Sequence, residues 1–261
     1  MARDVQRGWR AARAALRNPA TAVIEVDPLS PPSLQSFGPD IWLSAGPEAQ
    51  VIGFRYPTRM VLIRLGVGHL LAISPVALTP NLKAEIEALG EVRHIVGPNS
   101  LHDLFLGEWR QAYPQATLHA APGLRQVRPD LAFDADLSDT PAPAWGSDLD
   151  QVIVRGNRIT AEVVFFHRPS STAIFTDLIQ QFPPGWFKGW RAIVARLDLM
   201  TEAEPQVPRK FRVAFSDRAA ARVSVRRILE WPTERVVMAH GAPVAHDGRA
   251  FLARAFGWLK P

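Results

Sequence analysis

Short apolar runs of strand length come in two batches along this chain, each followed by helix signals and a further strand, and that order restricts the fold more than any other feature. In the first batch, IWLSAG at 41–46 is followed by VIGFRYPTRMVLIRLGVGHLLAISP at 51–75, where Gly66 and Gly68 mark a turn between two strands. Thr79-Pro80 then caps a helix that runs to Gly90, and RHIVG at 93–97 returns as a strand. The spacing predicts a second helix over 100–113, capped by Asn99 or Ser100 and stopped at Pro114, and a short strand at 117–120. An acidic, proline-bearing loop at 134–150 leads to the second batch: DQVIVRGN, AEVVFFH and TAIFTD, then a helix at 218–231, the buried strand ERVVMAHG and an amphipathic helix at 249–259. This is an α/β domain over 40–261, with a helical insertion near 178–208 anchored by Trp186 and Trp190.

Two further segments lie outside that domain. Residues 2–17 place Val5, Trp9, Ala12 and Leu16 on one helical stripe, and residues 28–39 carry four prolines, so 1–39 is expected to be a basic helix joined to a proline-rich arm. No apolar run approaches the roughly 18 residues of a membrane span. The first residues lack the continuous apolar stretch of a secretory signal, and Asp4 is at odds with a transit peptide. A cytoplasmic protein with no membrane partner is expected.

Composition removes several chemistries. The chain has no cysteine, so disulfides, thiolate metal sites and cysteine nucleophiles are excluded, and a metal must use His, Asp, Glu or Asn. The net charge of +5 is spread along the chain without a recognition motif, so nucleic acid is not an expected partner. Gly66-Val67-Gly68 lacks the third glycine of a dinucleotide fingerprint, and no Gly-x-Ser-x-Gly elbow, phosphate loop or His-Glu-x-x-His is present. Nothing in the sequence sets an oligomeric state.

Three stretches carry a family resemblance. Gly156-Asn157-Arg158-Ile159-Thr160, then EVVFFHRPSSTAIF and Thr176-Asp177, follow the register of a Gly-His-Thr-Pro-Gly turn and the strand ending in Gly-Asp that succeeds it. The strand RHIV runs into a segment where Gly97, Asn99, Leu101 and His102 occupy the ligand positions of a His-x-His-x-Asp-His motif. VVMAHGAPV delivers His240 into a Gly-containing turn. The chain thereby resembles the metallo-β-lactamase superfamily, and the HRPS at 167–170 with Thr176-Asp177 is similar to the family of unknown function DUF4336.

The resemblance implies a four-layer αββα sandwich of two mixed sheets, with metals along one edge. It also implies that the first metal position, normally three histidines, is lost at Gly97, Asn99 and Asn157. Of the second, Leu101 is a loss while His102, Asp177 and His240 remain, a set able to hold one zinc or iron ion or, if it has lapsed, none. Asp103, beside His102, is the candidate for the displaced acid. His167, at the end of an apolar strand, is a candidate acid or base if its hairpin brings it near Asp177. Each residue also has a purely structural role to weigh: His102 at a helix end, Asp177 as a turn residue, His240 satisfied by backbone, His167 bonded to its own turn, and Glu162 with Arg168 paired across the hairpin. The implied function is a mononuclear metal-dependent hydrolase of a small molecule. The alternative is a non-catalytic binding or interaction protein whose old cleft has closed.

Overall fold

The computed structural model describes residues 33–66 and 68–261. The expected helix at 2–17 and the prolines at 28, 31 and 32 lie outside the described residues.

Seven strands form the first sheet, in sequence order: β1 (Gln35–Gly38), β2 (Ile41–Val51), β3 (Phe54–Arg64), β4 (His69–Ile73), β5 (Glu91–Gly97), β6 (Thr117–Ala120) and β7 (Ala135–Asp136). β1 to β4 pair antiparallel, and β4 to β7 pair parallel through helical crossovers. The second sheet has four strands in the order β11-β10-β9-β8: β8 (Leu149–Val154), β9 (Glu162–His167), β10 (Thr172–Ile174) and β11 (Arg235–Val237), with only β10 and β11 parallel. Both sheets are mixed.

The strand period of two sorts the side chains into layers. Ile41, Leu43, Val61, Ile63, Leu71, Ile73 and Val96 from the first sheet meet Ile153, Val163, Phe165, Ile174 and Val237 from the second, forming the core between the sheets. The alternate residues point outward. Met60, Leu62, Leu70, Ala72 and Ile95 are covered by α1 (Pro80–Leu89) and α2 (Leu106–Ala112), through Leu82, Ile86, Leu106 and Trp109. Val152, Val154, Val164, Phe166 and Val236 are covered by α6 (Arg218–Glu230) and α7 (Gly248–Phe256), through Val225, Ile228, Phe251 and Leu252. The described residues also form the short helices α3 (Leu124–Val127), α4 (Trp190–Leu197) and α5 (Arg209–Ala214) and a 3-10 turn at Gly257–Leu259. The strands are apolar on both faces because both faces are buried, which yields the αββα order. Each fully buried Leu, Ile or Phe contributes roughly 1.5–3 kcal/mol relative to exposure.

Two local expectations are corrected. The segment 35–38, read as part of an arm, is an edge strand with Gln35 opposite Leu43 and Ser36 opposite Trp42; it stops before Pro39, which cannot donate to a ladder. The helix expected over 100–113 starts only at Leu106. Asn99 Oδ1 accepts from the amides of Leu101 (2.6 Å) and His102 (3.1 Å), so the side chain takes the donors that a cap would leave to the helix and folds 99–102 into a turn. By contrast α1 forms as its signals require, Thr79 Oγ1 accepting from the Leu82 amide at 3.2 Å with Pro80 in the first turn.

The insertion is pinned at its base by reciprocal backbone bonds between Gln180 and Gln206, and α4 is its helical part. Trp186 donates to the Arg55 carbonyl at 2.9 Å and anchors the insertion to β3, whereas Trp190 is exposed. No helix among the described residues is long and apolar enough to cross a membrane.

Candidate metal centre

The loops that follow β4, β5, β10 and β11 gather at one end of the two sheets. They supply Ser74, Asn99 with His102, Thr176 with Asp177, and His240; Glu162 joins them from the start of β9, which runs antiparallel to β10. His102, Asp177 and His240 each offer one ligand atom, and the three atoms lie within 4.8 Å of one another. His102 Nε2 is 3.0 Å from Asp177 Oδ2, and His240 Nε2 is 3.3 Å from Asp177 Oδ1. Two ligand atoms about 2.1 Å from a tetrahedral ion would be roughly 3.4 Å apart, so the donors stand at metal-ligand spacing.

Each donor is held from behind. His240 Nδ1 donates to the Pro57 carbonyl at 2.7 Å, because a carbonyl can only accept, and this turns Nε2 toward Asp177. His102 Nδ1 lies 2.7 Å from Ser74 Oγ. Ser74 has a left-handed backbone, φ 54°, an uncommon state for a residue with a side chain and one often met at sites. Asn99 Nδ2 donates to Asp177 Oδ2 (2.7 Å) and to Thr176 Oγ1 (2.8 Å). Beneath them the Glu162 carboxylate accepts the amides of Thr176 (2.8 Å), Asp177 (2.8 Å) and Leu178 (3.0 Å), fixing the turn that presents Asp177. Arg59 donates to the carbonyls of Met238 and Gly241 on either side of His240.

Charge follows this geometry. Burial works against an ionised Asp177, yet the two histidines hold its carboxyl well below the usual carboxylate range. Glu162 is pushed up to about 6, by burial first and then by the neighbouring Asp177. For His102 burial lowers the pKa, but the Asp177 charge and hydrogen bond override it, with a net rise. For His240 burial wins and the pKa falls. A neutral His240 has its one proton on Nδ1, so the Nε2 lone pair faces a carboxylate oxygen at 3.3 Å. Two imidazole nitrogens and a carboxylate at these separations form a donor set that fits a divalent ion.

The site opens into a cavity of about 480 Å³, with His102, Asp177, His240 and Ser74 at one end and an apolar wall that includes Val51, Tyr56, Pro75, Leu101, Leu104 and Phe105. Asp103 is in this wall, next to His102, with its backbone carbonyl accepting from Arg128 at 2.6 Å. The Arg128 guanidinium is itself paired with Asp130 at 2.7 Å.

Other sequence candidates are not brought here. His167 is the last residue of β9, five residues and roughly 16 Å along the strand from Glu162. Its Nδ1 is 2.7 Å from Ser170 Oγ, so the hairpin turns it into its own turn and away from Asp177. Arg168 pairs with Asp150 at 2.6 Å and not with Glu162, because the two start at opposite ends of one strand. At the lost first metal position, a Cβ on Gly97 would collide with Leu124 Cδ2 and sit 3.1 Å from Leu106 Cδ1. Asn157 donates to the Phe211 carbonyl at 3.0 Å and Gly156 is packed against Asp217, so that turn is tied to the α5–α6 junction. Asn99, expected as a helix cap or a lost ligand, instead holds Asp177, and Ser74, Pro57 and Arg59 were not among the expected site residues. Only Glu162 carried a signal, as a carboxylate heading an otherwise apolar strand.

Two mixed sheets face to face, helices outside and a His/Asp cluster at one end of the strands define a metallo-β-lactamase-like fold. Solved structures agree: this chain is similar to a metallo-β-lactamase from Pontibacter korlensis (12% identity, TM-score 0.59, covering 88% of this chain and 99% of that one). It is also similar to the Pseudomonas aeruginosa metallo-β-lactamase FIM-1 in its mono-zinc form (13%, 0.58, 89% and 98%) and to one from Hirschia baltica (13%, 0.58, 88% and 98%). Residues 41–188 match the domain of unknown function DUF4336, and the chain belongs to that family. No curated protein matches its sequence.

Proposed function

We propose that this protein holds one divalent ion, zinc or iron, on His102, Asp177 and His240 and acts as a mononuclear metal-dependent hydrolase of a small molecule. The single observation that carries the reading is the convergence of one ligand atom each from His102, Asp177 and His240 within 4.8 Å, with His240 Nδ1 committed to the Pro57 carbonyl. When bound, such an ion supplies Lewis acidity and activates water near neutral pH. Ser74 and Pro57 orient the two imidazoles, support of the kind that raises ligand basicity and fixes ring rotation. Asn99 holds one oxygen of Asp177 in place, and Glu162 holds its backbone. Asp103, in the cavity wall beside His102, is the group placed to carry a proton to or from a leaving group. The apolar wall excludes water from a substrate of a size that suits about 480 Å³.

The alternative, a binding protein without metal, is favoured by the closure of His102 directly onto Asp177. Elemental analysis of the purified, untagged protein beside a His102→Ala/His240→Ala variant separates the two. About one equivalent of zinc or iron in the wild type and none in the variant is the expected result. No metal in either, even after reconstitution, overturns the hydrolase reading.

A further inference from the structure

Helix α4 is amphipathic in the wrong direction for a domain of this kind. Its apolar residues Trp190, Ile193, Val194 and Leu197 fall at i, i+3, i+4 and i+7, the stripe that normally faces a core. Here that stripe faces out: the four side chains are 54, 56, 42 and 57% exposed, while Ala195 is the residue turned inward. Ile52, at the tip of the β2–β3 hairpin, is 56% exposed, and the tip reaches α4 through Phe54, whose ring is 5.7 Å from that of Trp190. Scattered apolar residues on a surface need no explanation, but five gathered on one face mark an interaction site. A shallow groove lined by Pro184, Phe187 and Ile193 continues the face.

Charge selects the occupant. From 184 to 197 the chain carries Lys188, Arg191 and Arg196 and no acidic residue. An apolar stripe with a tryptophan, edged by basic side chains, has the composition of a helix that lies in a lipid interface. A second copy of this face would set Arg191 and Arg196 against their own counterparts in a two-fold contact. The N-terminal residues 1–17, with five arginines and one aspartate, are also of like charge and would be repelled from this face.

We propose that α4 and the β2–β3 tip form a peripheral docking surface for an anionic lipid bilayer. This departs from the expectation of no membrane partner, which rested on the absence of a span; lying on a membrane and crossing it are different demands. The surface is independent of the metal cluster, but it shares an element with the cavity. Ala195, on the inner side of α4, packs in one small core with Val51 and Tyr56, and both of these also line the cavity.

The test is co-sedimentation of the full-length protein with phosphatidylcholine vesicles, with and without about a third phosphatidylglycerol, compared with an Ile193→Glu/Leu197→Glu variant. Both positions are more than half exposed, so the variant is expected to fold, with an unchanged melting temperature as the check. The expected result is binding to the anionic vesicles that weakens with salt and falls by about tenfold or more in the variant. Wild-type protein that stays in the supernatant, or a variant that sediments equally well, overturns the proposal. So does a wild-type dimer, made monomeric by the two substitutions without any vesicle binding, which would assign the face to a second copy. A second variant, Lys188→Glu/Arg196→Glu, should lose the preference for anionic over neutral vesicles; retention of that preference rejects the charge argument.

Discussion

The histidines of this sandwich fall into two sets, one around Asp177 and one packed against Trp145 or its own hairpin turn, and the two sets differ in their surroundings. At one end His102 and His240 flank Asp177 at 3.0 and 3.3 Å and border a cavity. Away from it, beside the β5–β6 pair, His94 Nδ1 lies 3.2 Å from His119 Nε2, and both rings meet Trp145 edge-on at 5.2 and 4.8 Å, while His167, at the far end of β9, is closed onto Ser170. Burial lowers His94 and takes both His119 and His167 down to about 4; it lowers His240 as well, and of the five only His102 is raised, by the Asp177 charge and hydrogen bond, despite its burial. The layer between the sheets is therefore not what makes an imidazole a functional group. A buried carboxylate in contact and a cavity beside it set His102 and His240 apart from the histidines that only pack.

Removing the carboxylate is the most direct way to break that contrast. Asp177→Ala should abolish metal binding and destabilise the fold by about 3–5 kcal/mol, the range for leaving one member of a buried ion pair alone. Metal analysis and chemical denaturation read the two effects. A variant that keeps both its metal and its stability would mean that Asp177 does not set His102 and His240 apart from the packed histidines. A smaller effect is expected where the family's first metal position has been filled. Gly97→His should cost about 1–3 kcal/mol by forcing a side chain into Leu124 and Leu106, and it should recruit no second equivalent of metal. A stable variant that takes up two ions would show that this half is vacant and not packed.

The same contrast explains what could be read from the chain. The two batches of apolar runs marked the strands, because strands buried on both faces are apolar throughout and Val163-Val164-Phe165-Phe166 splits between the two cores, while the pairing into two mixed sheets came with the family resemblance. In the candidate site, the three residues that the resemblance singled out, His102, Asp177 and His240, are brought within 4.8 Å of one another. The site was illegible where the role depends on a bond to backbone. Nothing local marks Pro57 as the acceptor for His240, since the contact spans 183 positions. Nor does a serine at the end of a strand announce that it will orient His102. The helix start was misplaced because an asparagine serves equally as a cap or as the pivot of a turn, and only the buried Thr176 and Asp177 around Asn99 decide which.

The mildest change tests a packed histidine alone. His167→Leu keeps the volume, removes a buried Nε2 that has no partner, and leaves Ser170 Oγ bonded to Thr172 at 2.8 Å, so stability near neutral pH should move by less than about 1.5 kcal/mol. Acid is where the two proteins should part. The folded pKa of about 4 lies below that of an unfolded histidine, near 6.5, so the unfolded chain takes up the proton first as pH falls. The stability linked to a neutral His167 is fully present above about pH 6.5 and is lost progressively toward about pH 4. Denaturation midpoints measured across that window should fall less steeply for the leucine variant, with the remaining slope due in part to His119. If wild type and variant keep the same slope, His167 takes up its proton as readily in the folded as in the unfolded chain, and the contrast with the Asp177 cluster rests on His94 and His119 alone.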